Sequence, residues 1–173
     1  MVAVVAAVGW SVRDDASVPD DRQHKAEQVA YITGYTLADN TPAWSAAISD
    51  PVVHSEAGGR GTYDDPVTLA VAKGALRPGT RIYLPHVKRY FIVEDTCASC
   101  GQKAVWLDMW IGGTHDDSSA VQDRCARALT GYFPYEVDPP RGRDVVSGPL
   151  LDWDRNCYKL PQSWKDWRPG EGR

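Results

Sequence analysis

The sequence predicts a mainly-β protein built as a small closed barrel. Two observations carry this. Short β-branched and aromatic runs recur along the chain, closed off by Gly or Pro turns at a spacing that suits a barrel better than a βαβ fold. The stretch from Val105 to Ile111 also alternates. Val105, Leu107, Met109 and Ile111 make one apolar face, while Trp106, Asp108 and Trp110 make the other. Closing the sheet would remove its unpaired edges.

Taken in order, residues 2–10 form an apolar run too short to span a bilayer, followed by a charged linker. We expect the remnant of an export signal or anchor there, with an ordinary first strand as the alternative. Residues 23–28 suit a short helical turn or linker. Strands are expected at 29–35, 51–55, 67–71, 81–84, 89–95 and 105–111, and a short one at 132–137. The turns between them carry Asp39-Asn40, Asp50-Pro51 and Pro78-Gly79. Residues 57–63 are glycine-rich, but their spacing fits neither a Walker loop nor a dinucleotide loop. Backbone freedom near a ligand or a tight crossing is the expected use. Residues 117–130 have helical spacing, with Asp116 or Asp117 as N-cap and Gly131 as the stop. Beyond 137 the prolines imply an extended arm. The expected organisation is a signal or anchor remnant with linker over 1–28, a barrel domain over 29–137 and a Pro-rich C-terminal arm over 138–173.

The chain has 173 residues, enough for one domain with a sizeable core. Its net charge of −4 argues against a nucleic-acid binder, and its mean hydropathy of −0.40 against a protein with several membrane spans. Seven Trp and eight Tyr stand against two Phe, a balance that favours wet binding surfaces. The four cysteines, Cys97, Cys100, Cys125 and Cys157, fit two disulfides in any of three pairings. Half of a zinc site and a redox Cys-x-x-Cys are the alternatives.

The motif order Thr33-x-Tyr35, His54, Ala57-Gly58, Tyr63-Asp64, Leu76-x-Pro78-Gly79-Thr80-x-Ile82-Tyr83, Val93-x-Asp95 and Leu107-Asp108 resembles the six-stranded double-psi β-barrel of several wall-active proteins. These are rare lipoprotein A, the three-Asp domains of lytic transglycosylases, expansins and glycoside hydrolase family 45. It is most similar to secreted single-domain proteins with a His-Ser-x-Ala-Gly-Gly-x-Gly-Thr-Tyr loop, some described as lysozymes. The likeness covers about residues 30–131. It implies a six-stranded double-psi barrel, to which the residue pattern adds one or two short helices and the extended C-terminal arm. It further implies a secreted enzyme cleaving β-1,4 linkages of peptidoglycan, as a muramidase or lytic transglycosylase. A non-catalytic, expansin-like binder or wall loosener and a cellulase-like endoglucanase are the alternatives. The implied partner is a polysaccharide, met by a monomer with no membrane span, nucleic acid, cofactor or metal.

The resemblance makes Asp108 the general acid. Asp95-Thr96 matches the start of an Asp-Thr-Gly-Gly turn, with Cys97-Ala98 in place of the glycines, so Asp95 is the candidate second carboxylate. Asp39 is the nearest candidate for a base by the first strand. The residues themselves allow the same chemistry: two indoles around one carboxylate shed its water and favour its protonated form. Tyr35, Trp106 and Trp110 are candidate sugar-stacking residues, and His54 a candidate substrate hydrogen-bonder or carboxylate partner. Each has a structural alternative: Asp95 and Asp39 as turn caps, His54 as a satisfied structural residue, the aromatics as packing. Trp44, Trp153, Trp164 and Trp167 read as arm-packing or surface. His115 beside Asp116 and Asp117 resembles a metal cluster, but helix capping explains the acids more simply.

Overall fold

The computed structural model describes residues 28–170. Seven strands form one sheet: β1 (Val29–Thr36), β2 (Val67–Val71), β3 (Arg81–Leu84), β4 (Arg89–Thr96), β5 (Trp106–Gly112), β6 (Gly131–Pro134) and β7 (Glu136–Val137). Their order is β6-β1-β5-β2-β4-β3-β7. Only Tyr135 separates β6 from β7, yet the two stand at opposite ends of that order. The sheet therefore curls into a nearly closed barrel. The expected single strand over 132–137 is divided at Tyr135, because its first half pairs with β1 and its second with β3.

Two pairs are parallel, β1 with β5 and β2 with β4, and the antiparallel contact of β2 with β5 joins them. Inward residues from these strands make the core: Ile32, Leu69, Phe91, Leu107, Met109 and Ile111 are at most 1% exposed. Each such side chain contributes roughly 1.5–3 kcal/mol relative to exposure. Val105, expected in that strip, precedes β5 and is exposed.

Two short helices complete the fold, α1 (Ser119–Ala128) and α2 (Gln162–Lys165). The N-cap of α1 is Ser118, not Asp116 or Asp117. Asp117 turns back instead, accepting from the Thr114 amide and hydroxyl (2.8 and 3.0 Å) and from Arg155 (3.0 Å). The residues after 137 run irregularly but not loosely. Leu150, Leu151, Leu160, Trp164 and Trp167 join the barrel's apolar cluster. Trp164 and Trp167 pack on Phe133 of β6, whose other neighbour His86 stacks on it at 4.1 Å. Trp153 is exposed on this arm, and Trp44 stacks beside His115. The expected signal remnant, and the expected turn at 23–28 apart from Gln28, lie outside the described residues.

Residues 51–55 form no strand. The backbone amides of Val52, Val53 and His54 donate instead to the Glu94 carboxylate, which leaves none of them for a β-ladder. The glycine-rich loop that follows is a tight crossing. Gly59 has φ of 100°, and a Cβ there would lie 2.0 Å from the Pro66 carbonyl oxygen. Gly59→Ala is therefore expected to lower stability by roughly 2–4 kcal/mol, read by urea unfolding, because backbone must move as well as strain. A loss below the experimental error would show that the crossing opens freely.

All four cysteines pair, as Cys97–Cys100 and Cys125–Cys157. The second joins α1 to the arm across 32 residues of sequence and the first spans three. By loop-closure entropy, removing the long link costs roughly 3–4 kcal/mol and removing the short one about 2 kcal/mol. The double variants Cys125→Ser/Cys157→Ser and Cys97→Ser/Cys100→Ser, melted side by side, check this order.

Candidate active site

Asp108 sits midway along β5, opposite Thr33 of β1 on one side and Ala70 of β2 on the other. Register thus sets Tyr31, Thr33 and Tyr35 beside Trp106, Asp108 and Trp110, with Tyr35 and Trp110 buried in the apolar cluster and Thr33 and Asp108 half-buried. The small side chain of Ala70 leaves room there. A groove of about 540 Å³ opens, lined by Tyr35, Asp39, Ser49, Ala70, Asp95 and Asp108 with the Cys97–Ser99 loop. The structure therefore gathers all three candidate carboxylates and Tyr35 into one groove. His54 does not line it.

The Trp106 indole N–H donates to Thr33 Oγ1 (2.7 Å), and the Thr33 hydroxyl donates to Asp108 Oδ1 (2.6 Å). Asp108 is half-buried, and its pKa is pushed up to about 6. Loss of solvent is the main cause. The Thr33 hydrogen bond opposes it, and the charges of Asp39 and Asp95 reinforce it. A carboxyl group near pH 6 has both forms available under mild conditions, as a proton donor requires.

The other two carboxylates have prior engagements. Asp95 Oδ1 accepts from the Ser49 amide and hydroxyl and from the Thr96 amide, and Oδ2 accepts from the Tyr35 hydroxyl (3.0 Å). Both oxygens are thus tied to loop and strand. Burial, with the neighbouring Asp95, holds the Tyr35 hydroxyl protonated well beyond its usual range. Asp39 is exposed, with Oδ1 accepting from the Thr36 amide (2.7 Å) and hydroxyl (2.8 Å).

Neither of the two expected indoles, Trp106 and Trp110, lines the groove. Trp110 and Tyr35 are 8% and 6% exposed and pack edge to face, so neither offers a ring to a sugar. Trp106 is half-buried and stacks edge-on against Tyr31, which touches Tyr132 in turn. The alternation holds for Leu107, Met109 and Ile111 as core residues, but Trp110, expected on the other face, joins the same apolar cluster.

Glu94 is not among the candidates drawn from the sequence. β4 carries a register shift in its pairing with β2: Leu69 meets Val93, and Ala70 meets Asp95. The bulge sends Glu94 to the 52–54 loop and Asp95 to the groove. Glu94 is fully buried, and His54 Nδ1 lies 2.7 Å from its Oε2. His54 Nε2 meets Asp65 at 3.1 Å. Burial pulls the His54 pKa down, but the bonds to Glu94 and Asp65 outweigh it and hold it above the ordinary value. Burial likewise pushes Glu94 up, and the bonds from His54 and the loop amides outweigh that and lower it. The available signal was an acid inside an otherwise apolar strand, next to a second acid that carried a motif.

Residues 27–158 match the family model of the DDB_G0273701 N-terminal domain. The chain belongs to that family. A Dictyostelium discoideum relative, the uncharacterized protein DDB_G0273701/DDB_G0273221, is 38% identical over 140 residues. The alignment covers 73% of this chain and 61% of the relative, so the chain spans less than two thirds of that protein's length. No solved structure matches the chain. The family match takes in the whole groove and both disulfides.

Proposed function

We propose that this protein cleaves a β-1,4-linked glycan, peptidoglycan foremost, with Asp108 as the proton donor to the glycosidic oxygen. The observation that carries this is the setting of Asp108: half-buried in an open groove, held by Thr33 and with its pKa at about 6. The order of motifs it shares with wall-active barrels supports the choice of glycan. The two parallel strand pairs support a double-psi barrel type.

The engagement of both Asp95 oxygens favours a single-carboxyl route. Hydrolysis needs a second carboxylate as base or nucleophile. Asp95 is committed to four hydrogen bonds, which leaves the exposed Asp39 for that role. In a lytic cleavage the substrate's own 6-hydroxyl attacks, and Asp108 serves as acid and then base. The two disulfides suit an oxidising, extracellular setting, and we propose that the chain acts there as a monomer.

Product analysis on purified peptidoglycan tests the reading. Anhydro-muramyl ends are the expected product, and new reducing ends would select hydrolysis through Asp39. Binding without either product would replace the enzyme with an expansin-like binder, and activity on cellulose alone would select an endoglucanase.

A further inference from the structure

The Cys97–Cys100 link forms part of the wall of the same groove. Sγ of Cys97, Sγ of Cys100 and a carboxylate oxygen of Asp108 all lie within 4.8 Å of one another. The two cysteines differ in exposure. Cys97 is half-buried and lines the groove, whereas Cys100 is 1% exposed. The Ser99 hydroxyl donates to Cys97 Sγ at 3.4 Å. A link across three positions of sequence constrains the unfolded chain less than the 32-residue link does, so stability is the weaker reason for it. Thiol–disulfide exchange needs a disulfide that an attacking thiolate can reach, which the groove offers at Cys97, and a nearby carboxyl group can supply the proton that the leaving thiolate takes up.

We propose that Cys97–Cys100 is a redox-active disulfide that oxidises a dithiol substrate, with Asp108 as the proton donor to the leaving Cys100. A substrate thiol loses its proton to solvent and attacks Cys97 Sγ. The Cys97–Cys100 bond breaks, a mixed disulfide forms at Cys97, and the Cys100 thiolate takes the Asp108 proton. The second substrate thiol, also deprotonated, then attacks the substrate sulfur of the mixed disulfide. Cys97 leaves as a thiolate and is protonated from solvent, as is Asp108. The net change is one substrate disulfide formed and one protein dithiol gained, two electrons passing to the protein. The raised pKa of Asp108 is consistent with a held proton at mild pH.

The test uses the folded 173-residue chain with dithiothreitol as the dithiol, between pH 5 and 9, without glycan. Alkylation and peptide mass spectrometry follow each disulfide separately. Cys97–Cys100 is expected to be reduced at least 100-fold faster than Cys125–Cys157. Asp108→Asn is expected to slow that reduction about tenfold at pH 6 and to flatten its pH dependence. Circular dichroism verifies that this variant is folded. In Cys100→Ser, Cys97 is expected to trap a mixed disulfide with oxidised glutathione. Equal reduction rates for the two links, or an Asp108→Asn profile superimposable on wild type, would overturn the proposal. Because no glycan is present, failure of glycan cleavage leaves this result untouched.

Discussion

Asp108→Asn is expected to lower the rate of peptidoglycan cleavage by roughly 10²–10⁴-fold, the usual contribution of a positioned general acid. The amide keeps the shape, and its carbonyl still accepts from Thr33, so loss of fold does not explain the loss of rate. The same variant is expected to be more stable than wild type above pH 6. The sign follows from the direction of the shift. Asp108 in the folded chain holds its proton up to about 6, against an ordinary value of 3.8. The folded state therefore binds more protons than the unfolded state across that window, and stability falls as pH rises through it. Above the window the charged, half-buried carboxylate costs about 1–3 kcal/mol, which the neutral amide avoids. Melting curves of the two proteins should coincide near pH 3.5 and separate by pH 7, with the variant higher. A variant that clears cell walls at the normal rate would remove Asp108 from the chemistry.

Glu94 carries the second large effect. Glu94→Ala leaves three loop amides and the His54 ring without their acceptor, and an expected loss of about 3–5 kcal/mol follows from breaking a buried pair on one side. Glu94→Gln restores an acceptor for the amides but not the charge, and should lose less. Asp65 adds little, since its side chain is 41% exposed. The pH dependence again follows from the two shifts. His54 is raised, so its contribution is complete below its unfolded value of 6.5 and is lost as pH rises through the higher folded value. Glu94 is lowered, so its contribution is complete above its unfolded value of 4.5 and is lost as pH falls through the lower folded value. The difference in melting temperature between wild type and Glu94→Gln should therefore be greatest between pH 4.5 and 6.5. A difference independent of pH would mean that the pair is not ionic.

These effects mark where the sequence was informative. The bounds of β2, β3 and β4 follow from apolar runs stopped by Pro-Gly and Asp-Pro turns, and the structure reproduces them within a residue. The outward direction of Asp108 follows from alternation in β5. What was not legible depends on tertiary cover. Trp110 shares a face with Asp108, but Tyr35 packs against it and closes it off. Residues 51–55 have strand composition, yet a carboxylate 40 positions away takes their amides. The bulge that turns Glu94 and Asp95 in different directions depends on pairing with β2, which no local pattern reports.

The partner choice of β1 has a consequence for how the chain reaches this state. Among the described residues its strand partners are β5 and β6, and Thr33 bonds to a residue 75 positions later. During synthesis β1 waits, apolar and unpaired, until residues beyond 106 have been made. The β3–β4 hairpin needs only the Pro85–Lys88 turn and can form at once. Assembly is therefore expected to begin in the middle of the chain and finish when β1 docks, a late and slow step in keeping with its long loops. The groove around Asp108, lined on one side by Tyr35 of β1, is completed only at that late step.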